Sequence, residues 1–187
     1  MTKKDMMIIM ALFIGFFVFY VFQNPHYRVL TGEEIVMNHH LDMIYHGSSE
    51  VPRELKAAED PTYPVGSNAI SRADHMSGMM DGVEVTIVGA YETTAYATTY
   101  TSTNTGITIE EHKWIVQEEF LDVGEGKLEK GTKVHTNAEH MKGMKDTIHN
   151  IDYSLSTTVY MVNFNLPNGR KVTNHKWVVE EELESLE

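Results

Sequence analysis

Two short phrases of this chain bring together residues that could hold a soft metal ion. His75-Met76-Ser77-Gly78-Met79 returns 65 positions later as His140-Met141-Lys142-Gly143-Met144. A methionine thioether has no proton to lose and favours Cu(I) or Ag(I) over hard or borderline cations, whereas imidazole binds both Cu(I) and Cu(II). In an extended strand a histidine and the methionine after it point to opposite sides. The glycine in each phrase lets the backbone turn sharply, so that the flanking side chains can converge. The competing reading is packing, because methionine fills gaps in cores and one per phrase could simply be buried.

A second phrase is also doubled. His112-Lys113-Trp114-Ile115-Val116 returns 63 positions later as His175-Lys176-Trp177-Val178-Val179. Histidine and tryptophan two apart are expected to share one face of a strand. Trp114 and Trp177 are the two tryptophans of the chain, one per copy, and read as core anchors because an indole buries so much area. His112 and His175 leave two readings open: a core-edge imidazole bonded to a carbonyl, or the second imidazole of a metal site. Met37, His39, His40, Met43 and His46 form a third, weaker candidate. Such a tract either wraps an ion without a fold or is a solvated spacer. His135 and His149 have no counterpart in the first copy and are set aside. The acidic runs Gln117-Glu118-Glu119 and Glu180-Glu181-Glu182 read as solvated strand ends. No nucleophile elbow, phosphate-binding glycine loop or zinc-protease motif is present, so no enzyme is expected.

The elements that must position these residues are short strands. Val83 to Ile87 alternates apolar and polar, and Thr93 to Tyr100 is rich in threonine and tyrosine. Asn104-Thr105-Gly106 reads as a turn, and His112 to Val116 as a last apolar strand. The second copy mirrors them with Lys133 to Thr136, Ile148 to Ile151, Thr157 to Phe164 and Val172 to Val179, with a turn at Pro167 to Arg170. The expected fold is therefore all-β: two tandem small SH3-like β-barrels after an N-terminal transmembrane helix. A unit of about 65 residues is near the lower limit for an independent core, so packing of the copies on each other is expected. The boundaries are 1–23 for the anchor, 24–64 for a stalk, 65–122 for the first copy, 123–129 for a linker and 130–187 for the second. Within the stalk, Val51 to Ala58 is expected to form two helical turns with a proline near the start.

Lys3 and Lys4 precede an uncharged run from Met6 to Phe22, at the short end of a membrane span. No small-residue cleavage pattern follows it. The expectation is an uncleaved single-pass anchor, with the lysines in the cytoplasm and the C-terminal domains outside. The formal charge of −12 and the lack of a basic stripe argue against nucleic acid as a partner. The chain has no cysteine, which excludes disulfides, thiolate metal sites and a lipid-bearing cysteine.

Tyr63 to Ser67, Ala73 to Met76, Thr86 to Tyr91, Thr93 to Tyr96 and His112 to Trp114 together resemble the tandem-repeat domain of YdhK/CopL-type proteins of Gram-positive bacteria. The second copy matches through His140 to Met144, Thr157 to Tyr160 and His175 to Val178, so the resemblance spans about residues 46 to 183. It implies an envelope-attached copper-binding protein that supports copper tolerance. CopL-type members are usually held by a lipidated cysteine, and here a helical anchor takes that place. The expected ligands are His75, Met76, Met79, His112, His140, Met141, Met144 and His175, holding copper as Cu(I) for sequestration. A rival reading makes the chain a cell-wall or protein-binding module, in which tandem SH3-like domains line a groove with Tyr91, Tyr96, Tyr100 and Tyr160. The protein partner in that case is unknown.

Overall fold

Valine, threonine and tyrosine pack well on a pleated surface, and they fill the two segments that dominate the architecture. The computed structural model describes residues 50–74, 78–166 and 169–186. The predicted anchor, the stalk tract with Met37, His39, His40, Met43 and His46, and also His75 and Met76 lie outside the described residues. Among the described residues there are eight strands: β1 (Lys56–Ala57), β2 (Asn68–Ser71), β3 (Glu84–Thr101), β4 (Thr108–Val116), β5 (Lys133–His135), β6 (Ile148–Asn165), β7 (Lys171–Val179) and β8 (Leu183–Ser185). Short 3-10 turns at Gln117–Glu119 and Glu180–Glu182 follow β4 and β7. The described residues are thus all-β, and no helix among them is long and apolar enough to cross a membrane.

Each copy was expected to break its strands near the middle, and neither does. β3 and β6 each run 18 residues. They pair antiparallel along nearly their whole length, from Val85 opposite Phe164 to Tyr100 opposite His149. Register shifts between Ile87 and Gly89 and between Ala97 and Thr98 bend the ladder without ending it. Gly89 holds one bend open because the Tyr91 ring lies where a Cβ would sit. Gly89 thus marks a bulge within one continuous strand.

The expectation of two closed barrels, one per copy, is corrected by the same ladder. All eight strands belong to one sheet, in the order β5-β6-β3-β2-β8, with β1 and β4 on β3 and β7 on β6. Two lobes form at its ends, and each takes half of either copy. The first-lobe core joins Ala69, Met80, Val85 and Ile87 to Tyr160, Val162, Phe164 and Val178. The second-lobe core joins Tyr96, Tyr100, Ile115 and Phe120 to Val134, Met141, Met144 and Ile151. β2 pairs with β8 at one end, and Phe120 bridges Thr136 at the other.

Strand alternation sends the other face to a central cluster. Ala95, Ala97, Val159 and Met161 pack there with Trp114 and Trp177, so the tryptophans are core anchors, buried between the lobes. The segment expected to be helical at Val51 to Ala58 is instead a strap. Its β1 adds to β3 at Tyr91 and Glu92, and Leu55 closes over the central cluster. Residues 91–92 of β3 lie between the stretches paired with β2 and with β4. The strap satisfies backbone groups there that a helix would leave bare.

Candidate metal centre

His112 and Trp114 do not share a face. Tyr96 of β3 lies opposite Ile115, but Thr98 lies opposite His112, so β4 carries one extra residue between these pairs. The bulge turns His112 toward the second lobe while Trp114 faces the central cluster. β7 repeats the device, with Tyr160 opposite Val178 and Val162 opposite His175. The peptide bond before each tryptophan is cis.

This turn brings residues of the two copies together. The rings of His112, from the first copy, and His140, from the second, lie 6.0 Å apart centre to centre. Two imidazoles that share one ion stand roughly 5 to 6 Å apart, given a metal–nitrogen distance of about 2 Å. Tyr100 sits beside them, with its ring edge-on to His112 at 5.9 Å and its hydroxyl donating to the Met141 sulfur at 3.9 Å. Burial pushes the Tyr100 phenol up to about 12, so the hydroxyl keeps its proton to donate.

His140 is buried. Its Nε2 lies 2.7 Å from Oε1 of Glu119. Its Nδ1 is buried with no hydrogen-bond partner among the described residues. A buried imidazole nitrogen without a partner is costly unless something else fills its lone pair. Among the described residues no group of three His, Cys, Asp or Glu converges on one point. Imidazole with the thioether of Met141 next to His140 in sequence is a donor set that suits a soft ion.

Glu119 is not the solvated strand end its sequence suggests. It is 5% exposed, and each oxygen is engaged twice. Oε1 faces His140 and, at 3.5 Å, Lys176 Nζ. Oε2 accepts from the Trp177 indole at 3.0 Å and from the Val116 amide at 3.2 Å. Burial pushes the carboxyl up, but the His140 charge and hydrogen bond, the Lys176 charge and the Trp177 indole outweigh it and hold the group below its ordinary range. Lys176 also donates to the carbonyl of Glu50 at 2.7 Å, which ties the strap to this lobe. A cleft of about 460 Å³ between the strap and Ala138 has Glu119 and Lys176 among its walls.

Both phrase glycines take a positive φ, +76° at Gly78 and +86° at Gly143. Gly143 also lies against the β3–β4 turn, where a Cβ would come within 2.7 Å of the Asn104 amide nitrogen. The methionines divide. Met141 and Met144 both belong to the second-lobe core, but the Met141 sulfur takes the Tyr100 hydroxyl beside His112, while Met144 is fully buried. Its structural counterpart in the first copy is Met80, not Met79. Val83 donates to the Met80 carbonyl as Thr147 does to that of Met144, and Met80 is equally buried. Met79 is an inserted residue, partly buried against the first-lobe core.

His175 meets the Phe164 ring edge-on at 5.7 Å in the first lobe. The lobes are not equal. At the ends of the long ladder, Val85 and Phe164 in the first lobe stand where His149 and Tyr100 stand in the second. His149, passed over in sequence, is fully buried and stacked on Tyr100 at 4.4 Å. Its nitrogens are engaged by Thr98 at 2.8 Å and Thr147 at 3.0 Å, so its role is structural. Tyr96, Tyr100 and Tyr160 are buried, which removes three of the four residues proposed to line a groove.

These features are those of a duplicated all-β protein, and the chain belongs to the DUF1541 family, described as proteins of unknown function. The family pattern matches twice, over residues 65–117 and 130–180. The chain is 48% identical over 145 residues to the uncharacterized protein YdhK of Bacillus subtilis strain 168, which covers 77% of this chain and 70% of that protein. A crystal structure of ydhK from the same organism aligns with a TM-score of 0.74 at 46% identity, over 78% of this chain and 99% of that one. The solution structure of the ydhK C-terminal domain aligns with a TM-score of 0.61 at 49% identity, over 65% and 92%.

Proposed function

We propose that this protein binds copper as Cu(I) on the outer side of a membrane, to which residues 1–23 anchor it, and lowers the free copper that reaches the bilayer. It acts by sequestration and needs no catalytic step. The observation that carries the reading is His140 Nδ1, buried and without a hydrogen-bond partner among the described residues, on a ring 6.0 Å from that of His112, with Met141 next in sequence and its sulfur against the Tyr100 hydroxyl. Two imidazoles and one thioether form a soft, low-charge donor set that favours Cu(I). By correspondence in sequence, His75, Met76 and His175 are the counterpart ligands of the other copy, and the tract from Met37 to His46 is a looser reservoir.

The test is a titration of the full chain in detergent with Cu(I) against a competing chelator. His112→Asn and His140→Asn each remove one ligand and are expected to weaken the second-lobe site at least tenfold. Met141→Leu weakens it less. Met144→Leu leaves it unchanged, because Met144 is core. Absence of binding, or equal affinity in the H112N/H140N double variant, refutes the reading.

A further inference from the structure

We infer that Glu119 is a positioning residue that fixes which nitrogen of His140 is available to the metal, with Trp177 of the His-Lys-Trp phrase holding Glu119 in place. The inference rests on the metal reading above and deepens it.

A neutral imidazole carries one N–H and one lone pair, and the partner of one nitrogen decides the state of the other. Glu119 is met by donors at both oxygens, with the Trp177 indole and the Val116 amide on Oε2 and Lys176 Nζ 3.5 Å from Oε1, the surroundings of an acceptor-only carboxylate. With Oε1 2.7 Å from Nε2, the proton belongs on Nε2. The lone pair is then on Nδ1, the nitrogen that has no partner among the described residues. A carboxylate behind a ligating histidine is a common outer-shell device, which fixes the ring and raises its basicity. The carboxylate is itself held: Oε2 receives two donors, the Trp177 indole and the Val116 amide, neither of which can reverse its role. A cation at Nδ1 would also join Lys176 in offsetting this buried negative charge.

The geometry makes Glu119→Gln informative. The amide oxygen must take the Oε2 place, because the indole and the backbone amide can only donate. The amide nitrogen then faces His140 Nε2. The imidazole is the group that can switch, so it accepts at Nε2 and moves its proton to Nδ1, closing the ligand position without changing the shape of the site.

The experiment reads the His140 tautomer from ring 15N shifts of the metal-free full chain, and then titrates Ag(I), which shares the donor preference of Cu(I). The unaltered chain is expected to carry Nε2–H at His140 and to bind silver. E119Q is expected to carry Nδ1–H and to bind about 10- to 100-fold more weakly, with an unchanged circular dichroism spectrum. A purely structural role would not move the tautomer. Nδ1–H in the unaltered chain overturns the inference with no variant needed, even if E119Q fails to fold. Silver binding that is equal in E119Q also overturns it and leaves the metal reading standing. No silver binding by the unaltered chain overturns the metal reading itself, and is seen before any substitution.

Discussion

The indole of Trp177 donates to the carboxylate of Glu119 across 3.0 Å, and the two residues belong to different copies of the repeat. The reciprocal bond runs from Trp114 to Glu182, also at 3.0 Å. Each carboxylate also accepts from its own copy, at the amide of Val116 or of Val179. Two glutamates at the ends of two 3-10 turns thus fasten the copies crosswise.

The two bonds are expected to differ in worth. Glu119 is buried and Glu182 only partly so, so water can replace a lost donor at Glu182 more readily. Trp177→Phe should cost about 2 to 4 kcal/mol and Trp114→Phe measurably less. Urea unfolding of both variants checks the order, and a larger loss in W114F would contradict it.

Burial lowers His149 from its ordinary value of 6.5 to about 4, with the His140 charge a smaller cause. The folded state therefore binds fewer protons than the unfolded chain between these values, and stability falls as pH drops through this window. The loss should approach roughly 3 kcal/mol by pH 4 in the metal-free protein. His149→Val, which installs the residue found at the matching position, Val85, should flatten that slope. It should also cost stability at pH 7, because it strips partners from Thr98 and Thr147. A slope that persists in H149V would assign it to another group.

Gly143→Ala should be far worse than Gly106→Ala. Both positions have positive φ, a strain of about 1 kcal/mol for alanine. At Gly106 nothing lies within 4 Å of the added Cβ, whereas at Gly143 it meets Ser102 Oγ at 2.6 Å and Asn104 backbone at 2.7 Å. Thermal unfolding of G106A should show a small drop. G143A should lose several degrees more and, under the proposed copper reading, weaken Cu(I) binding at His140.

A chain of residues 50–122 keeps β1 to β4 and loses β5 to β8. It holds half of each lobe core and cannot close either alone. Sedimentation should find it unfolded or paired with a second copy. A folded monomer with dispersed amide resonances would falsify the crosswise arrangement.

Much of this was legible in the sequence. The copies, their strand content, the turn glycines and the tryptophan anchors follow from periodicity and residue type. Three features did not follow, each for a physical reason. The i, i+2 rule put His112 with Trp114, but one extra residue in β4 separates them. Glu119 looked like solvated acid, because nothing local reveals that Trp177, 58 positions away, seals it. Met79 matched Met144 by spacing, but the insertion beside it gives the core place to Met80. Above all, the ladder between β3 and β6 is long-range pairing, and no pattern within one copy encodes its partner.

The crosswise build also changes what divergence can act upon. Tyr100 comes from the first copy and His149 from the second, yet they stack in one lobe; their counterparts Phe164 and Val85 face each other in the other lobe. A substitution late in one copy is accommodated early in the other. The inherited module is the repeat, but the unit that can specialise is the lobe, and the two lobes of this chain have already parted in polarity.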